Sequence, residues 1–318
     1  MIKNIVFVGT PFFSVPTLQA LCNTRYKPVL VITQPDRPKG RKLVLSSPPV
    51  KDYALTEQIE VIQPESINDT NTINILKELK PDIIITISYG GFIGKTIRML
   101  PKYGVINIHP SLLPKFRGST PIQSALLNGD TETGISIFKI NAKMDAGDIL
   151  YQSRQPIDKN INFTKLEKQL SEQAATDMIK LLETIEKTQP YDNLRVKQND
   201  KLATYTEKVS RETLLVNWNN KAQDIVNFIR AYSEEPAAYT FFNNKEIKMI
   251  TTSLTKNKSE QVPGSVTTIN KNKSFHIATK DYDVEVLNVK SPGKKIMLAS
   301  DFINGSRLKI GDRFTNGL

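Results

Sequence analysis

The sequence predicts an α/β protein: a mostly parallel sheet with helices on both faces, followed by a small β-barrel. Three observations predict it. Short β-branched runs alternate with helical stretches as far as residue 189, the pattern of a parallel sheet covered on both sides. From residue 190 to 206 the texture turns polar. Beyond it, short strands separated by turn residues dominate. The predicted organisation is a Rossmann-like domain over residues 1–189, a linker over 190–206, and an OB-like barrel over 207–318.

Lys3 to Val8 (KNIVFV) reads as a buried strand that ends in Gly9-Thr10-Pro11. A helix follows, with Ser14 as its N-cap and Pro16 in its first turn. Val15, Leu18, Leu21 and Cys22 share one face of it, which makes Cys22 a small core residue. Pro28–Thr33, Asp82–Ser88, Val105–His109 and Gly134–Ile140 are further strands, and Thr120-Pro121 opens a helix. Thr164 to Glu186 reads as a long amphipathic helix with a capping box at Thr164 and Glu167. Its buried stripe is Leu166, Leu170, Met178, Leu181 and Ile185. Lys221–Tyr232 is another helix, and the strands YTFF, EIKMIT, SVTTI, SFHIAT and VEVLNV build the barrel. Asn243-Asn244, Pro263-Gly264 and Pro292-Gly293 turn between them.

Composition narrows the class. The chain has 318 residues, enough for about two domains. No run approaches the ~20 apolar residues of a membrane helix, and MIKNIVFVGTP is too strand-like for a signal peptide. One cysteine excludes an internal disulfide framework. These features predict a cytoplasmic protein without a membrane partner. The net charge of +11 is spread over both parts of the chain and suits a polyanionic partner such as nucleic acid, although many proteins are mildly basic.

Several chemistries are absent from the sequence. Gly9-Thr10-Pro11 is not a dinucleotide fingerprint, there is no phosphate-binding GxxxxGK[ST], no nucleophile elbow and no Cys/His cluster for a metal. One polar constellation remains. Asn107 and His109 stand two apart in a strand and share a face. The strand ends lie where open α/β sheets bind ligands, and Gly9-Thr10 and Tyr89-Gly90-Gly91 lie at the same edge. Asp145 follows the strand Gly134–Ile140 in the loop MDAGD and can reach that cleft. A neutral amide donor suits an oxygen gaining charge, an imidazole moves a proton near pH 7, and a carboxylate supports the imidazolium. The set suits acyl transfer to a nucleophile that the protein does not supply. A structural His at a strand end and a turn Asp are the bland alternatives; His276 is read as structural.

At these residues the chain resembles the 10-formyltetrahydrofolate-dependent transformylases. INIHPSLLPKFRG is close to that family's signature, and MDAGDIL holds its catalytic Asp at Asp145. VGTPFFSVPTL, TQPDRPKGRK, SYGGFI, TPIQSALLNGDTETG, TYTEKVS, VNW and the barrel extend the likeness over nearly the whole chain. Pro110, Ile93-Gly94 and Ser233-Glu234-Glu235-Pro236 depart from the family pattern. The resemblance is nearest to the branch that formylates the α-amine of methionyl-initiator tRNA. It implies that 10-formyltetrahydrofolate is the co-substrate, with no metal, and that Asn107 and His109 contact the oxyanion while Asp145 holds His109 or a water. It further implies that Ser111, Leu112, Leu113, Pro114, Tyr89, Gly90 and Gly91 bind the folate. A sugar-nucleotide formyltransferase or formyltetrahydrofolate hydrolase on the same catalytic domain, and a non-catalytic RNA-binding protein, stay open as alternatives.

The stretch Thr33–Lys51 begins at the cleft edge and carries Arg37, Lys39, Arg41, Lys42 and Lys51 against Asp36. Its prolines, Gly40 and serines disfavour any regular element. It reads as a basic loop for tRNA phosphates, with Arg37, Lys39, Arg41 and Lys42 as contacts and Lys208 and Arg211 as a second patch.

Overall fold

The computed structural model describes residues 1–39, 44–188 and 190–317. They form two compact units, one of Met1–Pro121, Glu132–Pro156 and Glu167–Thr206, the other of Ile122–Thr131, Ile157–Leu166 and Glu207–Leu318.

The first unit is built on a seven-stranded sheet. Strand β1 (Ile5–Gly9) is buried at every residue, as a strand covered on both faces must be. It is followed by helix α1 (Val15–Cys22), strand β2 (Leu30–Ile32), a small ribbon of β3 (Arg37–Lys39) and β4 (Val44–Ser46), helix α2 (Pro49–Thr56) and edge strand β5 (Glu60–Ile62). Helix α3 (Thr70–Leu79) starts at Asp69, whose carboxylate accepts the Thr72 N–H at 2.7 Å. Strand β6 (Ile83–Ile87), short helix α4 (Lys95–Arg98), strand β7 (Val105–His109), helix α5 (Pro121–Leu127), strands β8 (Glu132–Lys139) and β9 (Ile149–Pro156) and the long helix α6 (Phe163–Lys187) follow, residues 122–127 of α5 and 163–166 of α6 belonging to the second unit. The sheet order is β5-β2-β1-β6-β7-β8-β9. Pairings from β5 to β7 are parallel, and β8 and β9 join antiparallel. The predicted mostly parallel sheet is therefore the observed one.

Some local expectations change. Ser14 does precede α1, but its side chain caps nothing; its hydroxyl donates to the Ile87 carbonyl at 2.9 Å and ties α1 to β6. Helix α6 begins two residues earlier than the capping box implies. Asn162 accepts the Lys165 N–H, and the Thr164 hydroxyl donates to the Ser233 carbonyl. The predicted apolar stripe of α6 is fully buried. Cys22 is half-buried, and burial pushes its thiol up to about 11, where it is not a nucleophile at neutral pH. The basic stretch contains the ribbon β3–β4, with Pro38 opposite Leu45. Proline is compatible with it because each strand of a two-stranded ribbon is an edge.

The second unit has helix α7 (Ala222–Tyr232) over an antiparallel sheet of β10 (Ala238–Phe242), β11 (Lys245–Lys258), β12 (Val266–Asn270), β13 (Ser274–Ile277), β14 (Tyr282–Lys290) and β15 (Met297–Leu298), ending in helix α8 (Ala299–Ser306). The order is β10-β11-β14-β13-β12, with β15 beside β14. The chain near its end joins the two edges. Phe241 exchanges two hydrogen bonds with Thr315, and Val266 exchanges two with Gly311 and Asp312. This closure removes exposed edges. Phe242, Phe275, Phe302 and Phe314 fill the interior, and the Trp218 indole N–H donates to the Thr240 hydroxyl at 3.1 Å.

Candidate active site

Strands β6 and β7 are parallel neighbours, and their register sets Thr86 beside Asn107. The Thr86 hydroxyl lies 2.7 Å from Asn107 Oδ1. With the amide oxygen so engaged, the NH2 group of Asn107 is left as a donor at the wall of the cavity described below. Two residues on, His109 closes β7 and is buried. Its Nε2 lies 2.8 Å from the Phe116 carbonyl. A carbonyl only accepts, so Nε2 carries the proton and Nδ1 presents a lone pair. Burial holds the imidazole below its ordinary value, while the Asp145 charge and the Phe116 carbonyl pull upward. The ring is accordingly neutral at pH 7.

Asp145 stands in the loop after β8 with a left-handed backbone, φ +48°. Its Oδ2 accepts the Gly118 N–H at 2.7 Å and lies 3.8 Å from His109 Nδ1. That separation is too long for a direct hydrogen bond. A proton on Nδ1 would face the carboxylate.

These groups open on one cavity of about 660 Å³ at the carboxyl ends of β6 and β7. Asn107, His109 and Asp145 line it together with Tyr89, Gly90 and Gly91. Phe92, Ile93, Phe138, Ile140 and Met144 add an apolar wall, and Pro110 and Gly118 complete it below. Phe92 and Met144 are exposed, so apolar surface is available to a ligand. Among the described residues there is no group of three or more His, Cys, Asp or Glu suited to a metal, and no helix is long and apolar enough to cross a membrane.

Residues 111–114 do not reach the cavity lining. They form a turn held from behind. The Ser111 hydroxyl donates to the Lys115 carbonyl at 2.7 Å, and the buried Leu113 donates its N–H to Ser136 Oγ at 3.0 Å. The basic residues are scattered. Arg37 is exposed and paired with Glu65. Lys39 lies in β3, and Arg41 and Lys42 lie outside the described residues. Lys51 is paired with Asp36 at 2.7 Å, and that lysine together with Gln63 holds the Asp36 carboxyl below its usual range. In the second unit, Lys208 is exposed, and Arg211 lies over the Tyr239 ring while pairing with Glu246 at 2.8 Å.

Sequence reasoning missed the frame around Asp145. The Gln198 carboxamide donates to the Asp145 carbonyl at 2.9 Å and the Gly147 carbonyl at 2.7 Å. Arg117, only 2% exposed, bonds the Gln198 oxygen and Asp200. The stretch 204–206 runs beside Arg117 as a parallel bridge. Arg117 is visible in LLPKFRG, but its partners lie about eighty positions away with no local period to announce them.

Comparison with known proteins supplies the context. A family described as formyl transferase matches residues 3–182, and its C-terminal domain matches residues 208–307. A methionyl-tRNA formyltransferase of Halalkalibacterium halodurans is 40% identical over 311 residues, 97% of each chain. One from Thermotoga maritima is 38% identical over 312 residues, 98% of each. Among solved structures, an N-formyltransferase from Helicobacter canadensis in complex with folinic acid and dTDP-3-aminofucose superposes with a TM-score of 0.66. It is 22% identical and covers 90% of this chain and 99% of its own, a likeness of fold.

Proposed function

The chain belongs to the formyl transferase family, and on that footing we propose that it moves the formyl group of 10-formyltetrahydrofolate to the α-amine of methionyl-initiator tRNA. The observation that carries the chemistry is the convergence of Asn107, His109 and Asp145 on one cavity. The choice of acceptor rests on relatives named for methionyl-tRNA that span nearly the whole chain, C-terminal part included. The formyl donor lies in the cavity between the Tyr89–Ile93 turn and the Ile140–Asp145 loop, its apolar ring against Phe92 and Met144. The Ser111–Pro114 turn shapes that site from behind. Residues 207–318 bind tRNA, with Lys208 and Arg211 as contacts and Arg37, Lys39, Arg41 and Lys42 as others. The protein works in the cytoplasm, where charged tRNA is found.

An α-amine titrates near pH 8, so an appreciable share is neutral at cellular pH. Its lone pair attacks the formyl carbon, and the carbonyl oxygen becomes an oxyanion. The Asn107 NH2 group donates to that oxygen. The attacking nitrogen becomes cationic and must lose a proton, while the leaving folate nitrogen must gain one. His109 Nδ1, neutral and facing the cavity side of Asp145, accepts the first and returns it to the second. Asp145 supports the transient imidazolium across the 3.8 Å gap.

The experiment supplies 10-formyltetrahydrofolate with methionyl-initiator tRNA, uncharged tRNA, or a sugar-nucleotide amine, and assays the deacylated product. Formylmethionine from the first mixture alone is expected. Formylation of the sugar amine without formylmethionine would refute the reading.

A further inference from the structure

We propose that Gln198 is a positioning residue for the formyl transfer: it fixes the Asp145 loop so that the carboxylate stands opposite His109, and buried Arg117 fixes Gln198. The inference rests on the site reading above and adds residues to it. All four hydrogen-bonding positions of the Gln198 carboxamide are used. Its nitrogen donates to the Asp145 and Gly147 carbonyls, and its oxygen accepts from Arg117 Nε at 3.2 Å and Nη2 at 2.8 Å. A guanidinium has no acceptor. The oxygen of Gln198 must therefore face Arg117, and its nitrogen must face the loop.

The loop needs that hold. Asp145 is in the left-handed region, which a non-glycine residue keeps only where its surroundings enforce it. Gly147 passes so close to β8 that an added Cβ would lie 1.7 Å from the Lys139 carbonyl oxygen. Gln198 ties down both carbonyls, at 145 and 147. The residues that carry the network also grip the carboxylate. Arg117 anchors Gln198, and the next residue, Gly118, donates its N–H to Asp145 Oδ2. Backbone and side chain of Asp145 are thus set from one point of the chain. Asp145 and the Phe116 carbonyl are the polar groups that act on the buried His109 ring, so a displaced Asp145 changes what that ring feels.

The test uses the whole 318-residue chain. Gln198→Met keeps the length of the side chain and removes its hydrogen bonds. Gln198→Glu keeps the bond to Arg117 but sets an acceptor against two carbonyls. Both should lower kcat by at least about tenfold, with KM for the formyl donor and for methionyl-tRNA within about twofold. The chain has two histidines, so NMR gives a second readout independent of turnover. In Gln198→Met the His109 titration should move down as Asp145 withdraws. Parental kcat and an unmoved His109 in a folded Gln198→Met protein, alongside an inactive Asp145→Asn, would overturn this inference and leave the site reading standing. Loss of activity that only follows loss of folded protein, with His109 unmoved in the folded fraction, would also overturn it. An Asp145→Asn protein with parental turnover would instead remove Asp145 from the site, and a His109 signal still moved by Gln198→Met would show that the positioning holds without that role.

Discussion

Gly147→Ala tests how tightly the loop behind Asp145 is fitted. Gly147 needs no unusual φ, so the constraint is space alone. An alanine Cβ would lie 1.7 Å from the Lys139 carbonyl oxygen and 3.2 Å from Phe138 Cδ2. Carbon and oxygen at rest sit roughly 3.2–3.5 Å apart, so loop and strand must separate by about 1.5 Å. Strand β8 will not yield first. Lys139 is in register with Ile106 of β7, its N–H donates to the Asp148 carbonyl at 2.9 Å, and Ile140 donates to the Val105 carbonyl at 2.8 Å. The loop moves instead and carries Asp145 with it, two residues away. A displacement of about 1 Å at a reacting group costs about a hundredfold in rate, and overpacking costs roughly 1–3 kcal/mol in stability. The assay is kcat for formylmethionine formation at saturating substrates, with a thermal melt to confirm folding at the assay temperature. Parental kcat in the folded variant would show that the position of Asp145 does not matter to turnover.

Further outcomes follow from the same geometry. Leu113→Ala should cost about 2–4 kcal/mol in a denaturant melt, because Leu113 is buried behind the cavity; weaker donor binding with unchanged stability would put it in the ligand site instead. His109 titrates below its ordinary 6.5 in the folded state. Its contribution to stability is therefore full above pH 6.5 and is lost as the pH falls through the lower folded-state value, because the unfolded chain takes up the proton first. A non-titrating His109→Gln protein should lose less melting temperature than its parent between pH 7.5 and mildly acidic pH, and equal slopes would refute this. Arg41→Ala with Lys42→Ala should weaken methionyl-tRNA binding and flatten the log–log salt dependence by up to about two units, leaving the formyl donor's affinity unchanged. Identical slopes would remove Arg41 and Lys42 from the tRNA contacts.

Much of the candidate site was legible because its residues are close in sequence or lie at strand ends. Asn107 and His109 alternate with Ile106 and Ile108, and period two alone puts them on one face. Asp145 follows the antiparallel strand next to β7, so a short loop returns it to His109. What stayed hidden depends on long-range pairing. The polar stretch 190–206 reads as a linker by composition, yet Gln198, Thr204 and Thr206 bond to the Arg117–Gly118 turn or the Asp145 loop. Ser14 has the chemistry of a cap, but the Ile87 carbonyl competes successfully for its hydroxyl. SLLP adjoins His109 in sequence, but its hold on strand β8, where the Ser136 hydroxyl accepts the Leu113 N–H and donates to the Ser111 carbonyl, has no local pattern to mark it. The barrel strands were visible from their alternation, whereas closure by residues 311–315 depends on partners at Phe241 and Val266 that no local pattern marks.

The central claim is that Asn107, His109 and Asp145 work as a unit in moving the formyl group. The most direct measurement is single-turnover formyl transfer to methionyl-tRNA by His109→Ala, by Asp145→Ala and by the double variant. Each single change should lower the rate by about a hundredfold or more. Because the carboxylate acts only through the imidazole, the double variant should be no slower than the slower single. Single effects that multiply in the double variant, or a His109→Ala protein with near-parental turnover, would contradict the account.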